Sequence, residues 1–172
     1  MKQKKFDKIL DKYSTAEPHR KSRVYEIYAA IAKYMKLKYP GVLFRFDAAG
    51  LNLSRTQAGK NKAIQGDRGW PDFFLAKACK GYHGLVLEIK VEGKKLFKKD
   101  GVTPVDDHVK EQMEMLIRLQ NEGYFTNFAF GTDDAIRIID WYMGKIPVKK
   151  PNPVFESSWP TTGIIESKGK PE

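Results

Sequence analysis

Apolar residues in the first part of the chain follow one helical pattern and then one alternating pattern. Within residues 22–38 they recur three and four positions apart, which predicts an amphipathic helix that ends before Pro40. Residues 42–47 alternate around two phenylalanines and predict a strand. The polar stretch 52–68 combines basic and small residues and predicts a mobile basic loop.

Two apolar runs and a second helical pattern follow. The runs at 73–78 and 84–90 flank a glycine-containing turn and predict a hairpin. A second basic loop occupies 92–104. Apolar residues at helical spacing then predict an amphipathic helix that ends at Gly123.

The last patterned segment predicts a strand over residues 124–130 and a helix through Met143, with Thr132 as the predicted N-cap of that helix. The order helix, strand, hairpin, helix, strand, helix predicts an α/β fold in which a short sheet is flanked by helices. We divide the chain into a basic N-terminal arm (1–17), a folded domain (18–144) and a proline-rich C-terminal tail (145–172).

The composition changes this picture mainly through charge, which indicates a class of partner. The 172 residues are 41% hydrophobic, enough for one core. Lys and Arg number 31 against 21 Asp and Glu, and the net charge of +10 favours a polyanionic partner. No apolar run approaches the roughly 18 residues of a membrane span, so we expect a cytoplasmic protein without membrane contact. The single cysteine, Cys79, allows no internal disulfide and is interpreted as a small apolar residue.

Residues that can carry chemistry lie at one end of the predicted hairpin. If the hairpin is symmetric about Gly81, Asp72 lies opposite Lys90 and is a diagonal neighbour of Glu88, roughly 7 Å away. Two such carboxylates repel unless a cation lies between them, and oxygen ligands favour Mg²⁺ or Mn²⁺. Lys90 beside the ion would orient a water or stabilise a phosphodiester transition state. Each motif alone also occurs on ordinary protein surfaces, and only their joint placement indicates metal-dependent phosphodiester hydrolysis.

These motifs, in their order along the chain, resemble a known nuclease family. Gly-x-Pro-Asp ending at Asp72, a strand ending in Glu-x-Lys at Lys90, a helix carrying Gln112, and then Gly-Tyr and a strand look like the VRR-NUC branch of the PD-(D/E)xK superfamily. The resemblance covers about residues 24–142, within a nuclease domain at 18–144. It implies a PD-(D/E)xK restriction-endonuclease-like α/β core with a mixed central sheet of about four strands flanked by helices.

The same resemblance implies metal-dependent cleavage of DNA, often at branches, and assigns residues to it. The catalytic residues that it implies are Asp72, Glu88, Lys90, Gln112 and Glu26. Asp72 and Glu88, with the carbonyl of Ile89, would bind Mg²⁺, for which Mn²⁺ would substitute. Gln112 would support Lys90 or the attacking water. Glu26 matches a glutamate on the family's first helix, although a glutamate on an amphipathic helix is usually just solvated.

Basic residues on both sides of the predicted site are candidates for phosphate contacts, which need charge but no reading of bases. These candidates are Arg55, Lys60, Lys62, Arg68, Lys94, Lys95, Lys98 and Lys99. The alternative is that they only keep the protein soluble. Trp70 either stacks on an exposed base or packs inside the core. His108 is a minor candidate for a phosphate contact.

Together these features favour a Mg²⁺-dependent, structure-selective DNA endonuclease, such as a Holliday junction resolvase or another recombination or repair nuclease. Two alternatives stay open: a sequence-specific restriction-type nuclease, and a non-catalytic DNA-binding or structural protein on the same scaffold. The expected partners are branched DNA and a second copy of the chain, because single-domain phage and bacterial members of the family act as dimers. The expected setting is a bacterial cytoplasm, with a phage as one source of the gene.

Overall fold

The computed structural model describes residues 20–47, 54–64 and 66–144. The predicted arm at 1–17 and tail at 145–172 lie outside the described residues. Along the described residues the elements are α1 (Arg20–Lys38), β1 (Phe44–Phe46), α2 (Arg55–Ile64), β2 (Phe73–Leu75), β3 (Leu85–Lys90), α3 (Asp107–Asn121), β4 (Phe125–Phe130) and α4 (Gly131–Met143). None of these helices is long and apolar enough to cross a membrane.

One mixed sheet connects the strands in the order β1-β2-β3-β4. The first two pairings, β1 with β2 and β2 with β3, are antiparallel, whereas β3 and β4 are parallel. A parallel pair needs a crossover connection, and α3 lies in that connection. This arrangement confirms the predicted α/β fold with a mixed four-stranded sheet flanked by helices.

Apolar layers on both faces of the sheet bury β3 from Leu85 to Ile89. On one face Leu85, Leu87 and Ile89 pack with apolar residues of α1 and α4. On the other face Val86 packs with apolar residues of α3. Burying one such side chain contributes about 1.5–3 kcal/mol, so the strand is strongly anchored. Because both faces are covered, the strand carries Glu88 into the interior instead of onto the surface.

A buried carboxylate joins α1 to α4. Asp140 accepts hydrogen bonds from the Tyr34 hydroxyl at 2.7 Å and from the Tyr39 hydroxyl at 2.6 Å. Burial and the bond to Asp140 raise the pKa of Tyr34 to about 12, so its hydroxyl stays protonated and donates. Hydrogen bonds to a charged acceptor typically contribute about 1.5–3 kcal/mol, which stabilises the packing of α1 on this layer.

The predicted register of the hairpin is wrong by two residues. Phe73 pairs with Leu87, and the same register brings Asp72 opposite Glu88 instead of Lys90. The turn is a two-residue reversal at Lys80 and Gly81, with φ of 52° and 83°. Beyond the bridge of Cys79 with Tyr82, residues 76–78 on one side face residues 83 and 84 on the other. The turn, centred between Lys80 and Gly81 instead of on Gly81, accounts for one residue of the shift, and the extra residue accounts for the other.

The prediction of a loop over residues 52–68 is wrong for residues 55–64, which form α2. Ser54 Oγ accepts from the Gln57 backbone N–H at 3.3 Å, and Gln57 Oε1 accepts from the Ser54 N–H at 2.9 Å. This reciprocal pair is a capping box, which starts a helix that carries no continuous apolar stripe.

The predicted cap of the last helix is also wrong. The helix α4 starts at Gly131, and its N-cap is Phe130 instead of Thr132. Asp134 reaches back to this end of the helix, where its Oδ2 accepts from the Phe130 N–H at 3.0 Å. Asp134 therefore satisfies the backbone N–H of the cap residue, whereas no side chain at the cap position bonds to the first turn.

Candidate active site

A cleft of about 660 Å³ opens where β3 ends and the chain enters β2. The N-terminal part of α1, the start of α3 and the loop after β3 complete its walls. The polar residues that line it include Arg23, Asp47, Asn61, Asp72, Glu88, Lys90, Glu92, Lys94, His108 and Gln112. Four of the five predicted catalytic residues therefore share one cavity.

Asp72 and Glu88 form a buried acidic pair in this cleft, with 7% and 2% of their surfaces exposed. Asp72 is fixed by the Ile89 backbone N–H, which donates to its Oδ2 at 2.8 Å. Burial raises the pKa of both carboxyls, and the neighbouring Asp72 raises the pKa of Glu88 further. Two buried acids this close are costly to ionise together, so the pair favours a cation or a proton.

Lys90 and Gln112 close a hydrogen-bonded ring with Glu88. The Lys90 Nζ donates to Glu88 Oε1 at 2.9 Å and to Gln112 Oε1 at 2.6 Å. The Gln112 Nε2 donates to the same Glu88 oxygen. A lysine only donates and a carboxylate only accepts, so these contacts fix the orientation of the glutamine amide. The predicted support of Lys90 by Gln112 is present as a direct contact.

The other carboxylate oxygen of Glu88 is a candidate ligand for a metal ion. Oε2 is buried and has no hydrogen-bond partner among the described residues, although buried polar atoms are normally paired. Among the same residues no group of three or more His, Cys, Asp or Glu side chains could hold a metal ion. A metal here would therefore rest on Asp72, Glu88, a backbone carbonyl such as that of Ile89, and water. This set suits Mg²⁺, which commonly binds one or two carboxylates and keeps several waters.

Tyr28, which sequence reasoning assigned to the core stripe of the first helix, also belongs to the site. Its ring is buried and stacks on Phe46 with centroids 4.8 Å apart, while its hydroxyl donates to Asp72. Burial and the nearby Asp72 raise the pKa of Tyr28, so the hydroxyl remains a donor. The sequence could have indicated this role, because a tyrosine on the buried face of a helix usually has a polar partner for its hydroxyl.

Glu26 is not brought to the cleft. It is exposed on α1 and is not one of the cleft-lining residues, whereas Arg23 and Val24 from the same helix are. The helix turns Tyr28 toward Asp72 instead, because residues 24, 27, 28 and 31 form its inward face. Of these two residues of α1, Tyr28 and not Glu26 therefore lines the cleft beside Asp72.

The predicted DNA-binding residues fall into three groups. Lys94 lines the cleft, and Arg68 lies near it with its guanidinium 3.5 Å from Glu111. Exposed residues of α2 and of the loop after β3, outside the cleft lining, are Arg55, Lys60, Lys95, Lys98 and Lys99. Lys62 lies on α2, and only its backbone is described.

Gly69 sets how closely the Gly-x-Pro-Asp segment approaches α3. Its φ is +80°, and a Cβ there would lie 2.6 Å from the backbone oxygen of Glu111. A side chain would therefore force the segment away from the helix that carries Gln112. Trp70, next in the chain, stays 46% exposed beside the cleft. The alternative prediction, that Trp70 packs inside the core, is therefore wrong.

Comparison with solved structures finds a similar fold. A solved structure described as a VRR_NUC domain protein matches with a TM-score of 0.51 and 23% identity, covering 71% of this chain and 88% of that chain. The two chains share a fold. No family model matches the sequence, and a search of curated proteins finds no match. The resemblance predicted from the motifs is thus supported at the level of the VRR_NUC fold.

Proposed function

We propose that this chain is a metal-dependent DNA endonuclease that hydrolyses phosphodiester bonds and prefers branched DNA. One observation carries the proposal: the buried pair of Asp72 and Glu88 with the Lys90 ammonium hydrogen-bonded beside it. The fold shared with a VRR_NUC domain protein supports the nuclease assignment. The expected substrate is a junction or another branched intermediate of recombination or repair.

Asp72, Glu88 and the Ile89 carbonyl are the groups that would hold Mg²⁺, or Mn²⁺ in its place. They are oxygen donors only, and the unpartnered Oε2 of Glu88 offers a buried lone pair for the ion. When bound, the ion would polarise a phosphate and lower the pKa of a water. The Tyr28 hydroxyl and the Ile89 N–H hold the Asp72 carboxylate in place.

Lys90 is the residue to which we assign stabilisation of the transition state. Two of its three N–H donors are directed to Glu88 and Gln112. The third can donate to a non-bridging phosphate oxygen or to the attacking water. Gln112 acts as a positioning residue, because it holds both the ammonium of Lys90 and the carboxylate of Glu88.

A cleavage panel tests the function. Purified protein with Mg²⁺ is incubated with four-way junctions, flaps, linear duplex and single strands. We expect cleavage of branched DNA, and a loss of at least about a hundredfold in Asp72→Ala, Glu88→Ala and Lys90→Ala with folding intact. Lys80→Ala is the control, because it removes an exposed lysine at the turn end of the hairpin. Wild-type rates in Lys90→Ala would contradict the mechanism.

The remaining alternatives give different outcomes in the same set of experiments. Discrete linear fragments from a plasmid digest would indicate a restriction-type nuclease. Salt-sensitive DNA binding without any calorimetric signal for Mg²⁺ or Mn²⁺ would indicate a non-catalytic binding protein. The expected homodimer is tested by light scattering of the same preparation.

A further inference from the structure

Trp70 separates two cavities that meet beside the acidic pair. The first is the cleft that contains Asp72 and Glu88. The second, about 560 Å³ in volume, lies beside the chain segment from Trp70 to Phe74. Both are lined by Asp47, Asn61, Trp70 and Asp72, so the two cavities lie side by side and share part of their walls.

The second cavity has the character of a site for a flat aromatic group. The rings of Trp70, Phe74 and Tyr124 form much of its wall, and the last two lie with centroids 5.7 Å apart. Arg45 and Asn61 add hydrogen-bonding groups at its polar side. A mostly apolar cavity of this size with a few polar groups is typical of small-ligand pockets, and a nucleobase presents the matching combination of apolar faces and polar edges.

We propose that the second cavity holds one unpaired base of the DNA strand whose phosphate lies at Asp72 and Glu88. This inference rests on the proposed function and narrows its substrate class. The indole of Trp70, 46% exposed, offers a stacking face where the two cavities adjoin. The base of a nucleotide and a phosphate next to it can then occupy the two adjoining spaces.

A base in a continuous duplex is stacked and paired, and extruding it costs free energy. A nucleotide at a branch point, in a flap or in a single strand has already lost its partner. The cavity therefore favours DNA with an unpaired nucleotide at or next to the scissile phosphate over uninterrupted duplex. Structure selectivity then comes from the availability of a base, and the surrounding lysines add affinity without that selectivity.

The test measures binding without cleavage. Glu88→Gln protein in EDTA is titrated into fluorescein-labelled single-stranded DNA of about 12 nucleotides, and anisotropy gives the affinity. A series of oligonucleotides carries one abasic site at successive positions. We expect one position at which base removal weakens binding about 5-fold to 150-fold, the range for loss of one stacked base.

Trp70→Ala, made in the same Glu88→Gln protein, links that base to the cavity. We expect it to weaken binding of the intact strand by a similar factor and to make the abasic site at the sensitive position nearly neutral. Trp70→Phe should restore most of the affinity, because a ring returns. Tyr25→Ala, which removes an exposed aromatic ring of α1, is the matched control and should change nothing.

Two results would overturn the inference: equal losses for single strand and linear duplex in Trp70→Ala, or additive effects of that variant and the abasic site. Either result would mean that Trp70 contacts something other than a base. If the wild type cleaves DNA but these couplings are absent, the proposed base pocket is wrong and the proposed nuclease function is retained. If the couplings are observed in a protein that cleaves no DNA, the proposed nuclease function is wrong and the base pocket is retained.

Discussion

At the scale of single residues, the Tyr28 hydroxyl contacts Asp72, a carboxylate that we propose as a metal ligand. The Tyr28 ring packs against Phe46 whether or not the oxygen is present, while the hydroxyl orients Asp72. For Tyr28→Phe we expect Mn²⁺ affinity to fall about 10-fold to 100-fold, as for other groups that orient metal ligands. The unfolding free energy should fall by about 1.5–3 kcal/mol, the usual contribution of a hydrogen bond to a charged group. Titration calorimetry and chemical denaturation give the two quantities.

Tyr25→Phe is the control for this change, because Tyr25 is exposed on the same helix and does not line the acidic cleft. It should leave both quantities as they are in the wild type. Equal Mn²⁺ affinity in Tyr28→Phe and the wild type would show that the hydroxyl does not orient Asp72 for the ion.

Glu88 makes the stability of the metal-free protein depend on pH. Its pKa is raised well above the ordinary 4.5, mainly by burial, so the folded protein holds a proton that the unfolded chain releases. The resulting stabilisation is complete below about 4.5 and is lost as pH rises through the folded pKa. Mn²⁺ needs the ionised carboxylate and therefore binds with proton release. We expect the increase in melting temperature caused by Mn²⁺ to grow between about pH 5 and pH 8.

Thermal unfolding in EDTA and in Mn²⁺ across this range measures the effect, and calorimetry in two buffers counts the protons released. Glu88→Gln removes the titrating group, so its stability in EDTA should fall less steeply with pH than that of the wild type. The same slope in both proteins would mean that Glu88 does not carry the proton. Metal binding that is insensitive to pH would mean the same.

At the scale of elements, Gly69 couples the segment before β2 to α3. Gly69→Ala adds both the strain of a positive φ and a Cβ at 2.6 Å from the Glu111 oxygen. Gly81→Ala adds only the strain, since φ is +83° and nothing lies within 4 Å of the Cβ position. We expect Gly81→Ala to cost about 1 kcal/mol of unfolding free energy, and Gly69→Ala clearly more.

Comparison of Gly69→Ala with Gly81→Ala also separates an effect on stability from an effect on Mn²⁺ binding. Displacing the segment at Gly69 moves Asp72 relative to Glu88, so Gly69→Ala should lose Mn²⁺ affinity while Gly81→Ala keeps it. Chemical denaturation and calorimetry on the two variants test this pair of outcomes. Equal effects of the two substitutions on both measurements would contradict the close approach to α3.

Sequence patterns predicted the elements that local chemistry determines. The apolar content of β3 was sufficient to predict a buried strand that ends at Lys90, and the neighbouring acids predicted the candidate site. The register of the hairpin was not predictable, because it depends on the left-handed conformation of Lys80 and one extra residue. The helix α2 was missed although its capping box, Ser54 with Gln57, was readable, since it lacks an apolar stripe.

At the scale of the whole molecule, the sequence carries a net charge of +10, although the candidate site is built on two buried acids. Lys94 lines the cleft and the other loop lysines lie exposed beyond it, which suits a strand of phosphates entering toward Asp72 and Glu88. Contacts of this kind release counterions, so the logarithm of the DNA affinity should fall linearly with the logarithm of salt concentration. The slope then counts the phosphates contacted in the complex, with about 0.9 for each on duplex DNA.

Lys94→Ala should therefore lower both the affinity and the slope, the slope by about one phosphate contact. Lys80→Ala is the matched control, because it removes the same charge at the turn of the hairpin, outside the cleft lining. Anisotropy titrations of duplex DNA over roughly 50–200 mM salt measure both variants. If DNA binding depended only on the net charge of the protein, the two variants would lose the same DNA affinity, since each removes one positive charge. A loss confined to Lys94→Ala would locate the phosphate path in the cleft, whereas an unchanged slope in that variant would mean that DNA does not pass Lys94.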